Sequence, residues 1–218
     1  MLGCEMGGSV SVDTLLLIHF DSSDKDECGH SISFGGVFFY NTGKFGNCIR
    51  ASSQGFYLNT DLVIDLSKDF TIEMFIYNSY ITDTATSGFG VYVSGYNNNN
   101  LQWFINYSGD YPNRFGIWWA SPYGMTATKY DKNLTQFMTS SKWMHVAMVY
   151  SISEDYIEFY IDGKAIGYKQ PIMIPDSSKA PSGPFYIHAG EPWMIDELRV
   201  SSIVRYKSDF TPPEKPFS

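Results

Sequence analysis

The sequence predicts an all-β protein, an antiparallel β-sandwich of two sheets formed by a single domain. Nearly every apolar run is short and ends in turn residues. Amphipathic helical periodicity longer than two turns is absent, and strands do not alternate with helices as a parallel sheet requires. The chain has 218 residues, a length at which all-β sandwiches are routinely single domains.

The first strands are predicted from apolar runs that turn residues bound. The run DTLLLIHF at 13–20 is followed by the polar loop DSSDKDECGH. The run FTIEMFIY at 70–77 alternates with the period of a half-buried strand, and one face carries Phe70, Ile72, Met74 and Ile76.

Two hairpins follow. FGVYVSGY at 89–96 and LQWFINY at 101–107 flank four asparagines at 97–100, which suit a hairpin loop. YIEFYIDGKAIGY at 156–168 is the clearest hairpin, with Asp162-Gly163 as a type I′ turn. The remaining strands are predicted at 114–120, 143–150, 184–190 and 194–201.

Composition and charge exclude several classes of protein. The net charge of −8 and the lack of a basic patch argue against a nucleic-acid-binding protein, which needs clustered Lys and Arg. No run is long enough to span a bilayer, and the first residues lack the pattern of a signal peptide. Three cysteines, Cys4, Cys28 and Cys48, do not form a disulfide framework. Free thiols and synthesis in a reducing cytosol are therefore expected, with a Cys28–Cys48 bridge as the alternative.

Seven motifs in order resemble the laminin-G-like branch of the concanavalin A-like lectin/glucanase superfamily. They are LLLIHFD, GKFGNCIR, YL at 57–58, DFTIEMFIY, KWMHVAMVY, IEFYIDGK and IDELRVSSIVRYKSDFTPP. The resemblance covers residues 13–213, with an N-terminal arm at 1–12 and a C-terminal tail at 214–218. It implies a jelly roll in which IDELRVS lies beside TLLLIHF and the turn SIVRYKSDF caps one end.

The ending VRYKSDFTPP is similar to that of domains in bacteriophage tail and capsid proteins. This resemblance suggests a structural component of a virion, as a decoration, tail or fibre protein made in the host cytoplasm. The expected partners are other virion proteins, further copies of this chain in a homo-oligomer, and a host-surface glycan. The alternative is a free-standing carbohydrate-binding module.

No catalytic pattern is evident. Glycosidases need two carboxyl groups at a defined separation, and in this superfamily Glu, Asp and Glu alternate along one strand face. Glu158 with Asp162 and Asp196 with Glu197 are the nearest pairs, and neither reproduces that pattern. The chain is therefore predicted not to be an enzyme.

No cofactor is expected, although a structural calcium ion is an alternative that the superfamily implies. Oxygen ligands suit Ca²⁺, and one loop offers Asp21, Asp24, Asp26 and Glu27, with Asp196 expected nearby. The favoured interpretation is that Asp21 and Asp196 accept backbone hydrogen bonds while the other carboxylates are solvated.

Aromatic side chains are the candidate glycan contacts, since sugar rings stack on exposed aromatic faces. Trp118 and Trp119 are adjacent, so in a strand they point to opposite faces and one should leave the core. The predicted contacts are Trp118, Trp119, Tyr107, Tyr111 and Tyr123. Packing between the sheets or at a subunit interface, where Trp and Tyr are enriched, is the favoured role for this set, and glycan contact is the competing role.

Overall fold

The structure is a computed structural model, and its described secondary structure consists entirely of strands and turns. No helix in this part of the chain could cross a membrane. The described residues are 10–21, 25–79, 88–93, 101–105, 114–120, 126–133, 137–167, 169, 171–172 and 184–218.

Thirteen strands account for the described secondary structure. They are β1 Thr14–Ile18, β2 Ile32–Thr42, β3 Asn47–Val63, β4 Phe70–Asn78, β5 Phe89–Tyr92, β6 Leu101–Ile105, β7 Arg114–Ala120, β8 Thr126–Asn133, β9 Trp143–Ser151, β10 Tyr156–Ile161, β11 Lys164–Ala165, β12 Pro184–Ala189 and β13 Trp193–Ser201.

The strands form one curled antiparallel sheet, which confirms the predicted all-β class. Hydrogen bonds join them in the order β11-β10-β9-β4-β13-β3-β12-β5-β6-β7-β8, with β1 added to β13 and β2 to β3. The two layers of the sandwich meet where β13 pairs with β3 through Met194 opposite Arg50 and Ile195 opposite Ile49. The predicted sheets are therefore two halves of one continuous ladder.

The core lies between these two halves. The Trp103 ring on β6 lies 5.9 Å from Phe159 on β10, and Phe89 on β5 lies 5.6 Å from Trp193 on β13. These strands are not neighbours in the sheet, so the contacts arise because the sheet folds over on itself. The predicted face of β4 contributes to this core with Phe70, Ile72, Met74 and Ile76.

The first and last strands pair, as the sequence predicted. β1 runs antiparallel to β13, with Leu17 opposite Arg199 and Ile18 opposite Leu198. The strands of the two predicted hairpins also pair, β5 with β6 and β10 with β11, and the predicted loop at 97–100 lies outside the described residues. Asp162 and Gly163 both have positive φ, 47° and 73°, as a type I′ turn requires.

The segment that follows β13 covers a face of the sheet. Val204, Tyr206 and Phe210 pack against Tyr156 and Tyr160, on the side of β10 that faces away from the main core. The predicted cap at one end of the sandwich is therefore wrong. Tyr156 and Tyr160 make this side of β10 apolar, and covering it with 202–210 removes that surface from water.

We expect Gly163→Ala to lower the free energy of unfolding by about 2–4 kcal/mol, because an L residue is strained at positive φ and the new methyl group would overlap the Phe210 carbonyl oxygen. Gly29→Ala is the matched control, since Gly29 has φ +90° with nothing within 4 Å of the added carbon. It should cost about 1 kcal/mol. Urea unfolding measures both. Equal losses would show that the contact with Phe210 does not matter.

The cysteines differ from the prediction of free thiols. Cys28 is disulfide-bonded, whereas Cys48 is free and buried in β3. The alternative bridge between Cys28 and Cys48 is therefore also wrong. Burial raises the pKa of the Cys48 thiol to about 12, so this side chain stays neutral and packs as a small apolar group.

Candidate binding surface

An aromatic cluster lies on the face of β3, β12 and β5 that is opposite to the core. Tyr57 of β3 stacks on Tyr186 and His188 of β12, with ring centroids 5.6 and 4.9 Å apart. Tyr92 of β5 meets Tyr186 edge-on at 5.1 Å. We call Tyr57, Tyr92, Tyr186 and His188 the aromatic surface. Tyr57 is 37% exposed while Tyr92 and Tyr186 are buried, so Tyr57 is the tyrosine ring that solvent reaches.

The alternation of β3 places Tyr57 on this face. Phe56, Leu58, Thr60 and Leu62 are buried, and the residues that alternate with them are exposed. Since successive strand residues point to opposite faces, Tyr57, Asn59 and Asp61 share the outer face. The cluster therefore follows from a strand that is apolar on one side and mixed aromatic and polar on the other.

Two glycines shape the space around the aromatic surface. Gly35 of β2 pairs with Tyr57, and a methyl group there would lie 3.8 Å from the Tyr57 ring. Gly35 therefore leaves one side of that ring uncovered. Gly90 of β5 pairs with His188, and the Tyr92 ring lies 3.2 Å from where its methyl group would be. The aromatic surface is thus open toward β2 and filled toward β5.

Polar groups continue along β3 beside Tyr57. Asp61 Oδ1 accepts hydrogen bonds from His30 Nδ1 at 2.9 Å and from the Ser31 backbone N–H at 3.1 Å. Asn59 is exposed and pairs with Ser33 of β2, which is also exposed. Amide, hydroxyl and carboxylate groups therefore lie on the same face as the exposed ring.

The electrostatics of this face favour a neutral ligand. Burial lowers the pKa of His188, so its imidazole is uncharged at neutral pH. The hydrogen bond from His30 lowers the pKa of Asp61, which keeps that carboxylate ionised as an acceptor. An uncharged aromatic platform beside hydrogen-bonding groups suits the apolar face and the hydroxyl groups of a sugar ring.

The structure places the backbone of two of the five predicted contact residues. Trp118 and Trp119 are on β7, where Trp118 pairs with Gln102 and Thr128, and Trp119 pairs with Leu101 and Ala127. Along the register, Tyr186 pairs with Tyr92 and Tyr92 with Gln102, so Trp118 occupies the same row as the aromatic surface. The other predicted contacts, Tyr107, Tyr111 and Tyr123, lie outside the described residues.

Sequence reasoning missed Tyr57, Tyr92, Tyr186 and His188. The alternation in FYLNTDLV at 56–63 was the available signal, since it places a tyrosine and two polar residues on one face. The contacts among β3, β12 and β5 depend on pairing between segments that are distant in the chain. No local pattern shows them.

A family model of the concanavalin A-like lectin/glucanase superfamily matches residues 50–209, well over half of the chain. The chain belongs to this superfamily. No curated protein matches the sequence at a significant level.

Solved receptor-binding domains of botulinum neurotoxins have a similar fold. The mosaic serotype C/D domain matches with a TM-score of 0.67 at 14% identity, covering 89% of this chain and 48% of the neurotoxin domain. A serotype DC domain in complex with rat synaptotagmin II gives 0.66 at 12%, covering 89% and 49%. A type C structure, described with cell entry that depends on two ganglioside molecules, gives 0.65 at 12%, covering 89% and 49%. The chain spans about half the length of these domains, and the likeness concerns the fold alone.

Glu158 and Asp162, the nearest carboxylate pair on one strand face, lie in the hairpin of β10 and β11. Glu158 is buried. Asp162 contacts Lys142 Nζ at 2.7 Å and accepts a hydrogen bond from the His145 backbone N–H at 3.0 Å. The contacts of Asp162 hold the turn between β10 and β11 against the start of β9.

Carboxylates considered for calcium accept backbone hydrogen bonds, as predicted for Asp21 and Asp196. Asp21 accepts from the Asn47 N–H at 2.8 Å, and Asp196 from the Phe45 N–H at 2.8 Å. Asp26 differs from the predicted solvated loop, because it is buried and accepts from the Leu17 and His30 N–H groups. Among the described residues, no group of three or more His, Cys, Asp or Glu has an arrangement that could hold a metal ion.

A bulge in β13 buries two consecutive acidic side chains. Asp196 and Glu197 are both fully buried, Glu197 has a φ of 51°, and the pairing with β4 shifts after Asp196. Glu197 contacts His19 Nδ1 at 2.8 Å and accepts a hydrogen bond from the Phe217 N–H. The hydrogen bond with Glu197 raises the pKa of His19, so this pair joins β1 to β13 as a charge-assisted contact.

Proposed function

We propose that this chain is a non-enzymatic carbohydrate-recognition domain that binds a neutral glycan on its aromatic surface. The observation that carries the proposal is the exposed Tyr57 ring, held by stacking on Tyr186 and His188. A ring fixed by its neighbours loses little conformational entropy when a ligand stacks on it. Asn59 and Asp61 supply hydrogen-bonding groups on the same face.

Two further considerations support the proposal. The chain belongs to a superfamily whose description includes lectins. The similar neurotoxin domains include one solved in complex with N-acetylneuraminic acid, so this fold occurs in glycan-binding proteins. This chain has a net charge of −8, which disfavours binding of an acidic sugar because like charges repel. A neutral glycan is therefore the class of ligand that we expect.

Tyr57→Ala tests the proposal. The labelled protein is first applied to an array of neutral and sialylated glycans, and the strongest neutral ligand is then titrated by calorimetry. We expect Tyr57→Ala to weaken binding about 10- to 100-fold, since it removes the stacking ring. Tyr40→Ala is the matched control, because Tyr40 is 47% exposed on β2 and lies outside the aromatic surface.

Circular dichroism verifies that both variants are folded. Unchanged affinity in Tyr57→Ala would show that the glycan does not bind to the aromatic surface. Binding to no glycan on the array would contradict the proposed function as a whole.

The role in a virion is a finer proposal, which rests on the resemblance of VRYKSDFTPP to phage proteins. It is compatible with glycan recognition, because a particle protein can contact a host surface. Mass spectrometry of purified particles tests it, and absence of the protein from particles would contradict it.

A further inference from the structure

β2 is a long strand at the margin of the sheet. It pairs with β3 from Ile32 to Thr42, and no other described strand pairs with it. Every β2 residue whose burial is described is exposed or partly exposed. By contrast, β1, β4, β9 and β10 are buried almost throughout. Backbone groups at such an edge are a template for another strand.

The sequence of β2 lacks the charged residues and proline that usually protect an edge strand. Natural edges carry charged side chains or proline, which discourage pairing with other chains. No Asp, Glu, Lys, Arg or Pro occurs from Cys28 to Gly43. A chain with a net charge of −8 therefore presents an uncharged strand at this margin.

Aromatic side chains along β2 are incompletely covered. Phe34 and Phe38 lie 5.0 Å apart and pack against the margin of the main core, while both stay partly exposed. Tyr40 meets Phe38 edge-on at 5.7 Å and is 47% exposed. A strand placed beyond β2 would cover this row and bury its apolar surface.

We infer that the strand placed beyond β2 is β2 of a second copy of this chain, in an antiparallel two-fold pair. Two molecules of equal charge repel, so a contact between them is most favourable where neither carries a charge. β2 meets that condition along its whole length.

The two-fold arrangement also matches the shape of the strand. Gly36 has a φ of 84°, and the register with β3 shifts between Gly36 and Phe38. With the axis at this irregularity, the segment 38–42 pairs with 32–36 of the partner. Phe38 then faces Gly36 of the partner subunit, and Tyr40 faces Phe34 of the partner subunit. The chain uses aromatic–glycine pairing internally, where Tyr57 faces Gly35.

Sedimentation and light scattering from 1 to 200 µM test the inference. We expect a dimer whose dissociation constant rises at least tenfold in Tyr40→Lys, since the lysine would be placed in the uncharged contact. Tyr57→Lys is the control, because Tyr57 lies on an internal strand, and its dimer should persist. Hydrogen exchange of the amides at 32–42 should slow as the wild-type concentration increases.

A wild-type protein that is monomeric at 200 µM would overturn the inference, and this includes the case in which another segment of the same chain covers β2. A dimer that is unaffected by Tyr40→Lys would overturn it as well. Because Tyr40 lies outside the aromatic surface, Tyr40→Lys should still bind glycan, which keeps this test separate from that of the proposed function.

Discussion

Replacing Glu73 by alanine is expected to lower the free energy of unfolding by about 3–5 kcal/mol. Glu73 is fully buried on β4, where it accepts hydrogen bonds from Arg199 Nε at 2.9 Å and Tyr206 Oη at 2.6 Å, and contacts His145 Nε2 at 3.1 Å. Burial alone would raise its pKa, but the hydrogen bond with His145 and the charge of Arg199 lower it to about 2. Without Glu73, Arg199 becomes a buried cation without its carboxylate.

Chemical unfolding at pH 7 measures this loss, and Glu154→Ala is the control. Glu154 also pairs with a cation, Lys207, but both side chains are exposed. Exposed pairs contribute less than about 1 kcal/mol, so the control should be near wild type. A similarly small loss for Glu73→Ala would show that the Ser218 carbonyl, which accepts from Arg199 Nη1, compensates this cation.

The second large effect concerns Asp196 and pH. Burial raises the pKa of Asp196 to about 7, well above its value in an unfolded chain. The folded state therefore binds a proton more tightly, and the stability from this group is complete below about pH 4 and lost as pH rises through 7. A shift of about three pKa units corresponds to about 4 kcal/mol.

Asp196→Asn should remove this dependence, because an amide stays neutral and its oxygen still accepts from the Phe45 N–H. We expect the free energy of unfolding of the variant, relative to that of wild type, to increase by about 4 kcal/mol between pH 4 and pH 8, as measured by urea unfolding. The contribution of Glu73 to stability has the opposite pH dependence, since it is complete above about pH 4.5 and is lost as the pH falls toward 2. The pH range of each change therefore distinguishes the two groups. EDTA should leave both curves unchanged. A bound divalent cation would instead keep Asp196 ionised and flatten the wild-type curve.

Local patterns in the sequence predicted much of the fold. The Asp162-Gly163 turn, the core face of β4 and the pairing of β1 with β13 are confirmed, because each depends on a short motif or on the order of motifs. The prediction that β4 is half-buried is wrong, since its other face is buried as well. The position of 202–210 could not be predicted. Its packing on Tyr156 and Tyr160 depends on which face of β10 lies outside the core, and that is a property of the folded sheet.

The candidate site was less predictable than the fold. The sequence indicated Trp118 and Trp119 as candidates because they are adjacent aromatic residues in a predicted strand. Tyr57 is identified as a candidate only by its stacking on His188 from another strand. Gly35 leaves space beside the Tyr57 ring, and the space beside Gly90 is filled by the Tyr92 ring. No pattern in the neighbouring sequence predicts either role. Identifying such a surface requires the register of three strands.

The central position of β13 has a consequence for how the chain folds. This strand pairs with β1, β3 and β4, yet it is the last of the described strands to be synthesised. Contacts such as His19 with Glu197 join residues 178 positions apart, so closing them is entropically slow. Until residues 193–201 emerge, β3 and β4 lack the strand that joins their layers. We therefore expect folding of this domain to be completed only after residues 193–201 have left the ribosome.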